Sequence, residues 1–239
     1  MHYISILSTL VTAIFTAAVF TRYRRKGGAH LLLWGMGLTF YGLGTLTEVI
    51  LAFKFNPLAL RLWYLSGAML TAAWLGQGSV NLLVRRGRIA QALNILLGLV
   101  SLAALGLVVA APLTSAAAGY NINLPASVQY KEILIRSGGV TLLTVLLNIY
   151  GTLALVGGAL YSAFLFWRKK VLLNRVMGNI LIAAGALLPA SAGTFVQAGL
   201  VDWLYVSEFF GVILMYAGFV QATAALPAPA PAPAVPAVQ

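Results

Sequence analysis

The chain has 239 residues, of which 61% are apolar and only 8% charged, with a formal charge of +11 and a pI near 10.3. Soluble chains hold roughly 25% charged residues, so this composition excludes an ordinary soluble domain and points to a chain whose solvent is mostly lipid. Cys is absent, which excludes disulfides, thiolate metal sites, iron–sulfur clusters and cysteine nucleophiles.

In chain order, apolar stretches run over 3–21, 30–53, 58–84, 90–111, 138–167, 173–200 and 203–224. Each is near or above the ~20 residues that a helix needs to cross ~30 Å of hydrocarbon. The pattern predicts an all-α integral membrane protein, a single seven-transmembrane-helix bundle over 1–225 with a Pro/Ala-rich tail over 226–239. The first stretch lacks a basic leader and an A-x-A type cleavage site, and its positive cluster follows the apolar run, so it reads as a retained helix rather than a signal peptide. The long loop, 112–137, contains PASVQYKEILIRS, which reads either as a short interfacial helix or as an extension of the fifth helix. Alternating Pro in the uncharged tail favours an extended cytoplasmic spacer with no core of its own.

The charges fall in alternate loops. Arg22, Arg24, Arg25 and Lys26 share one side with Arg85, Arg86 and Arg88 and with Arg168, Lys169, Lys170 and Arg175. The other bases, Lys54, Arg61, Lys131 and Arg136, and all the acids, Glu48, Glu132, Asp202 and Glu208, fall on the opposite side or in the membrane near it. Lys and Arg are retained on the cytoplasmic face during insertion, so the N-terminus is expected outside and the C-terminus inside. Anionic lipid headgroups suffice as partners for the basic loops, and no nucleic-acid role is needed.

LWYLSG at 62–67 echoes WLYVSE at 203–208, and RYRRK before the second helix echoes FWRKK before the sixth. Such an offset relates helices one to three to helices five to seven with the fourth as a linker, an arrangement that small transporters use, although chance similarity between apolar segments explains it as well.

Polar and small residues mark the faces that look inward. Trp34, Gly37, Tyr41, Gly44 and Glu48 share one stripe of the second helix, and Tyr64, Gly67, Thr71, Trp74, Gly78 and Asn81 one of the third. Thr141, Thr144, Asn148, Thr152 and Ser162 do so in the fifth, and Gly185, Pro189, Gly193 and Gln197 in the sixth, where Pro189 predicts a kink. In lipid such residues mark interfaces, because close backbone approach and interhelical hydrogen bonds replace the hydrophobic drive.

The sharper signal is intramembrane charge. Glu48 lies about five residues before the end of the second helix and Glu208 about five after the start of the seventh, so both sit roughly 7 to 8 Å below the same boundary, with Arg61 slightly shallower. An ionisable residue within a span is a functional-site candidate. The three are expected to converge as a ligand site or an ion pair, with Tyr41, Tyr64, Trp74, Asn148 and Gln197 as further polar candidates.

Several chemistries drop out. Every Lys lies in a loop, so a retinal Schiff base has no amine in the core, and His2 and His30 fall at opposite faces and cannot jointly hold a haem. No HExxH, GxSxG or phosphate-loop pattern occurs, so neither a metal, nor a cofactor, nor an enzymatic role is expected.

GLGTLTEVILAF followed by LALRLWYLSGAMLTAAWL resembles the second and third helices of the seven-transmembrane input region of bacterial histidine kinases and related signalling proteins. The positions that carry the resemblance are Glu48, Arg61, Trp63, Tyr64 and Gly67. NRVMGNILIAAGALLPASAG is similar to the family's sixth helix, with its Leu-Pro step at Leu188 and Pro189. The resemblance implies a multi-pass protein of the bacterial inner (plasma) membrane that senses a ligand. The chain carries no phosphoacceptor histidine, ATP-binding or cyclase region, so the output is expected from another polypeptide. The leading expectation is a sensor-like protein that binds a small or lipophilic ligand and signals through a partner. A non-catalytic accessory subunit of a larger membrane complex and a small-solute transporter are the alternatives.

Overall fold

The computed structural model describes the backbone of residues 2–84, 88–170, 173–197 and 201–224, and the side chains of these except at 2, 192–197, 201 and 202. Arg85 and Arg86, the side chains of Gln197 and Asp202, and the tail at 226–239 therefore lie outside the described residues. The described chain is helical, with one isolated β-bridge, Leu113 to Leu134. We number its helices α1 (His2–Lys26), α2 (Ala29–Phe53), α3 (Pro57–Leu83), α4 (Arg88–Ala110), α5 (Ala126–Ile133), α6 (Gly138–Arg168), α7 (Leu173–Gln197) and α8 (Val201–Thr223). All but α5 are long and apolar enough to cross a bilayer, the architecture of a multi-pass membrane protein.

Local chemistry sets the turns. Gly27 and Gly28 take φ of 64° and 102°, which lets α1 fold back into α2 within two residues where a side chain would strain the backbone. Asn56 caps α3 by accepting from the N–H groups of Leu58 and Ala59 at 2.8 and 3.1 Å, with Pro57 in the first turn where its missing N–H costs nothing. Ser137 caps α6 through the Val140 N–H. The 112–137 connection contains a 3₁₀ turn at Ser115–Gly119 and the separate helix α5, so this segment is an independent element and not an extension of α6. Its two ends are zipped together by hydrogen bonds from Thr114 N–H to the Ile133 carbonyl and from Ile135 N–H to the Pro112 carbonyl, at 2.9 and 3.0 Å.

The helices form a closed ring in the order α1, α2, α3, α6, α7, α8, with α8 returning to α1. Helix α4 lies outside, against α3 and α6. The ring runs through α1 to α3 and then α6 to α8, the grouping suggested by the sequence echo. Every spanning helix reverses the direction of the one before, so one end of the ring holds the C-terminus of α2 and the N-termini of α3, α6 and α8. We call it the carboxylate end, because Glu48 and Glu208 lie there. The other is the basic end, with Arg22, Arg24, Arg25, Lys26, Arg88 and Arg168.

Near its middle the ring interior is filled by Phe15, Trp34, Leu38, Leu75, Leu155, Ile182, Met215 and Phe219, which come from all of its helices and leave only about 20 Å³. Glycines bring the ring helices close: a Cβ on Gly151 of α6 would lie 2.1 Å from the Ala72 carbonyl carbon of α3, and one on Gly185 of α7 would lie 2.6 Å from the Gly211 carbonyl of α8. Pro189 sits inside α7 without ending it, with its ring against Gly211. Helix α4 is held by polar contacts instead. Asn94 Oδ1 accepts from Gln77 Nε2 at 2.6 Å and from Asn81 Nδ2 at 2.7 Å, and the Trp74 indole donates to Ser101 Oγ at 3.1 Å.

The crossing of α3 and α6 depends on Gly151, because the atoms in the way are backbone and cannot rotate aside. Gly151→Ala should lower the stability of the detergent-solubilised protein by about 1 to 3 kcal/mol. Gly157→Ala, whose Cβ meets nothing within 4 Å, should leave it unchanged or raise it by up to about 1 kcal/mol through helix propensity. Thermal unfolding of the two variants checks the contrast.

Candidate functional site

The interior changes character toward the carboxylate end. Glu48, in the penultimate turn of α2, is 5% exposed, and its Oε1 accepts a hydrogen bond from the Tyr205 hydroxyl of α8 at 2.9 Å. Trp63 of α3 is placed to donate to the same carboxyl. Two turns further along α2 the buried Tyr41 hydroxyl donates to the Glu208 backbone carbonyl at 2.9 Å. Tyr41 and Tyr205 thus tie α2 to α8 twice, reaching across the interior behind α1, which separates those helices in the ring. Helix α1 contributes the buried Ser5, Ser8 and Thr12 at this end. The carboxyls of Glu48 and Glu208 are close enough to interact electrostatically.

Beside Glu48 lies a cavity of about 20 Å³, room for about one water, lined by Ser5, Ala52, Tyr120, Asn123, Pro125 and Tyr205 among others. Its roof is the 112–137 segment. Gln129 gives that roof a fixed shape, accepting from the Asn121 N–H at 2.8 Å and donating to the carbonyls of Asn121 and Leu124 at 2.9 and 3.0 Å. Tyr120 and Phe55 stack with ring centres 4.9 Å apart, and Tyr130 packs on Trp63 at 5.3 Å. Burial pushes the Tyr120 phenol up to about 12, with the Glu48 carboxylate as the second cause. The stability that this neutral phenol contributes is fully present below a pH of about 10 and is lost as the pH rises through about 12.

The start of α3 serves this site through an unusual helix. Trp63–Leu70 form a π-helix, whose wider turn is frequent at functional sites. Two of its carbonyls gain side-chain donors: the Ser66 carbonyl, which accepts the Thr71 N–H, also accepts from Thr71 Oγ1 at 2.8 Å, and the Ala68 carbonyl accepts from Asn148 Nδ2 of α6 at 2.7 Å. Within this stretch Trp63 is directed to Glu48, while the adjacent Tyr64 hydroxyl pairs with Thr144 Oγ1 of α6 at 2.9 Å.

The sequence candidates therefore separate. Glu48, Glu208 and Tyr41 come together. Tyr64, Trp74 and Asn148 do not join them, since each binds a neighbouring helix at a contact that holds the bundle. Gln197 has its side chain outside the described residues. The expected pairing of Arg61 with the two carboxyls is corrected: Arg61 donates through Nη2 to the Ala111 carbonyl at 2.9 Å, beyond the end of α4. A shared depth does not give a shared face, and Arg61 faces the outside of the ring. Three contributors were missed, namely Tyr205, Tyr120 and Ser5. Only Tyr205 had a signal, its place in the WLYVSE echo.

Comparisons with family models, with curated proteins and with solved structures find no match to this chain.

Tyr205→Phe removes the hydroxyl that donates to the buried Glu48 carboxyl while keeping the ring. It should cost about 1 to 3 kcal/mol of stability, the penalty for an acceptor left without its partner. Tyr161→Phe, at a residue 53% exposed, should change nothing measurable. Thermal melts of both variants in one detergent decide the comparison.

Proposed function

We propose that this chain is a sensor-like membrane protein that takes a small or lipophilic ligand at the carboxylate end of the ring and signals through a partner protein. The observation that carries the reading is the Glu48–Tyr205 hydrogen bond, which joins α2 to α8 beside a roofed cavity in a polar part of the interior. A ligand hydroxyl or amine that donates to Glu48 competes with Tyr205 and loosens α8 from α2. Its affinity then differs between the joined and the loosened arrangement, which is what coupling requires. Helix α8 runs from this site to the basic end and carries the change there.

The apolar plug in the ring favours a receptor over a conduit, since a solute crossing the ring would have to displace side chains from all of its helices. The one-sided distribution of basic loops favours the N-terminus outside, so that the roofed cavity faces the exterior and the basic loops meet the cytoplasm and its anionic lipids. The bacterial plasma membrane and signalling through a partner protein rest on the family resemblance. No catalytic role is proposed. An accessory-subunit reading has one observation in its favour: Ile95, Leu99 and Leu102 of α4 expose 65, 61 and 66% of their surface, a flank as suited to another helix as to lipid.

Extraction into a mild detergent and native mass spectrometry tests the reading. A bound small molecule that is retained by the wild type and lost from Glu48→Gln supports the sensor. A stoichiometric protein partner that stays bound to both Glu48→Gln and Tyr205→Phe, with no small molecule in either, favours the accessory subunit. Passage of a solute into liposomes containing this chain alone would make it a transporter.

A further inference from the structure

Among the described residues, two cations near the carboxylate end have no acid to pair with. Arg61 uses Nη2 on the Ala111 carbonyl, and its Nε is buried without a partner. Arg136, two residues before α6, has its guanidinium 4.9 Å from the Tyr130 ring centre and 6.0 Å from that of Tyr64, and its Nε is likewise buried and unpartnered. Among the described residues neither meets a carboxylate, and Glu132, the acid nearest to Arg136 in sequence, is exposed on α5.

The backbone brings the two together. Arg61 binds the carbonyl of residue 111, and Ile135, next to Arg136, donates to the carbonyl of residue 112. Tyr64, over which Arg136 lies, is one turn from Arg61 on the same stripe of α3. Both guanidiniums thus border one notch between the N-termini of α3 and α6 and the C-terminus of α4.

From this juxtaposition we infer that Arg61 and Arg136 form a binding site for a phosphate oxyanion, supplied by the headgroup of an anionic phospholipid. Guanidinium forks match the oxygens of a phosphodiester, and the aromatic faces under Arg136 hold its plane in place. An anion between two partly buried cations also offsets their desolvation. Arg61 is the fifth residue of its spanning helix and Arg136 directly precedes one, which sets the notch at headgroup level. Exposed Val109 on α4 and Leu142 and Leu146 on α6 flank it with apolar surface suited to acyl chains. The inference rests on placement in a bilayer and not on the sensor reading.

The whole chain, purified in a non-ionic maltoside, is incubated with phosphatidylglycerol or phosphatidylcholine, and bound lipid is counted by native mass spectrometry. The wild type should prefer phosphatidylglycerol by roughly tenfold. Arg61→Gln and Arg136→Gln should each lose most of that preference. Lys54→Gln and Lys131→Gln, which remove exposed bases from the same end, should keep it. A preference that survives in the double Arg→Gln variant overturns the proposal. If that variant does not fold, the double Arg→Lys variant decides by the same criterion, since it keeps the charge and loses the forks. Inorganic phosphate provides the remaining arm: an Arg-dependent rise in melting temperature with phosphate, in a wild type that shows no preference between the lipids, assigns the site to a free anion and overturns the headgroup.

Discussion

A carboxyl group inside an apolar bundle must find its hydrogen-bond donors within the protein, and Glu48 finds one on another helix. Tyr205 donates from α8, and the Trp63 indole of α3 lies beside the same carboxyl. This requirement fixes more than one side chain. It holds α2 and α8 at a set separation behind α1, orients the first turns of α3 through the π-helix, and leaves beside the carboxyl a small space that the 112–137 segment closes. Removing a buried donor costs more than its bond contributes, so these contacts stand or fall together.

The two halves of the ring interior divide the work. Around the middle, side chains from all the ring helices meet through apolar contact, with the Trp34 indole N–H buried among them without a partner. Toward the carboxylate end three of these helices, α1, α2 and α8, present Ser5, Ser8, Tyr41, Glu48 and Tyr205. Apolar packing can shift by small repacking, whereas a hydrogen bond to a buried acid is either made or replaced. On the proposed function, the polar half is where a small molecule would bias the bundle, and the apolar half would keep such a molecule on one side.

Much of the fold was legible in the sequence, for physical reasons. Hydrocarbon admits few backbone solutions, so the spans followed from length and hydropathy alone, and the third apolar stretch at 58–84 became Pro57–Leu83. Depth could be counted along each helix, which put Glu48 and Glu208 at one level. Which way each side chain faces depends on which helices are neighbours, and no single-helix pattern contains that. Arg61 shares the depth but faces the Ala111 carbonyl on the outside of the ring. The stripe of α3 was also read as a regular helix, and the π-helix between Trp63 and Leu70 altered its phase, so that Trp63 and Tyr64 serve different neighbours. The exclusion of α4 from the ring rests on Gln77, Asn81 and Asn94 finding one another, a matching invisible until two helices are laid side by side.

A sensor of this design requires that small molecules reach the ring interior from the carboxylate end, past the 112–137 segment, and not from the basic end. The Cys-free chain allows a direct measurement with single cysteines and a small charged thiol reagent applied to either face of oriented vesicles. Cysteine at Ala52, on the cavity wall, should react from the face that bears the N-terminus and be blocked from the other, while cysteine at Ile182, in the plug, should react from neither. Reaction at position 182 from the face that bears the N-terminus, or at position 52 from both faces, would mean a continuous aqueous path and would contradict the account.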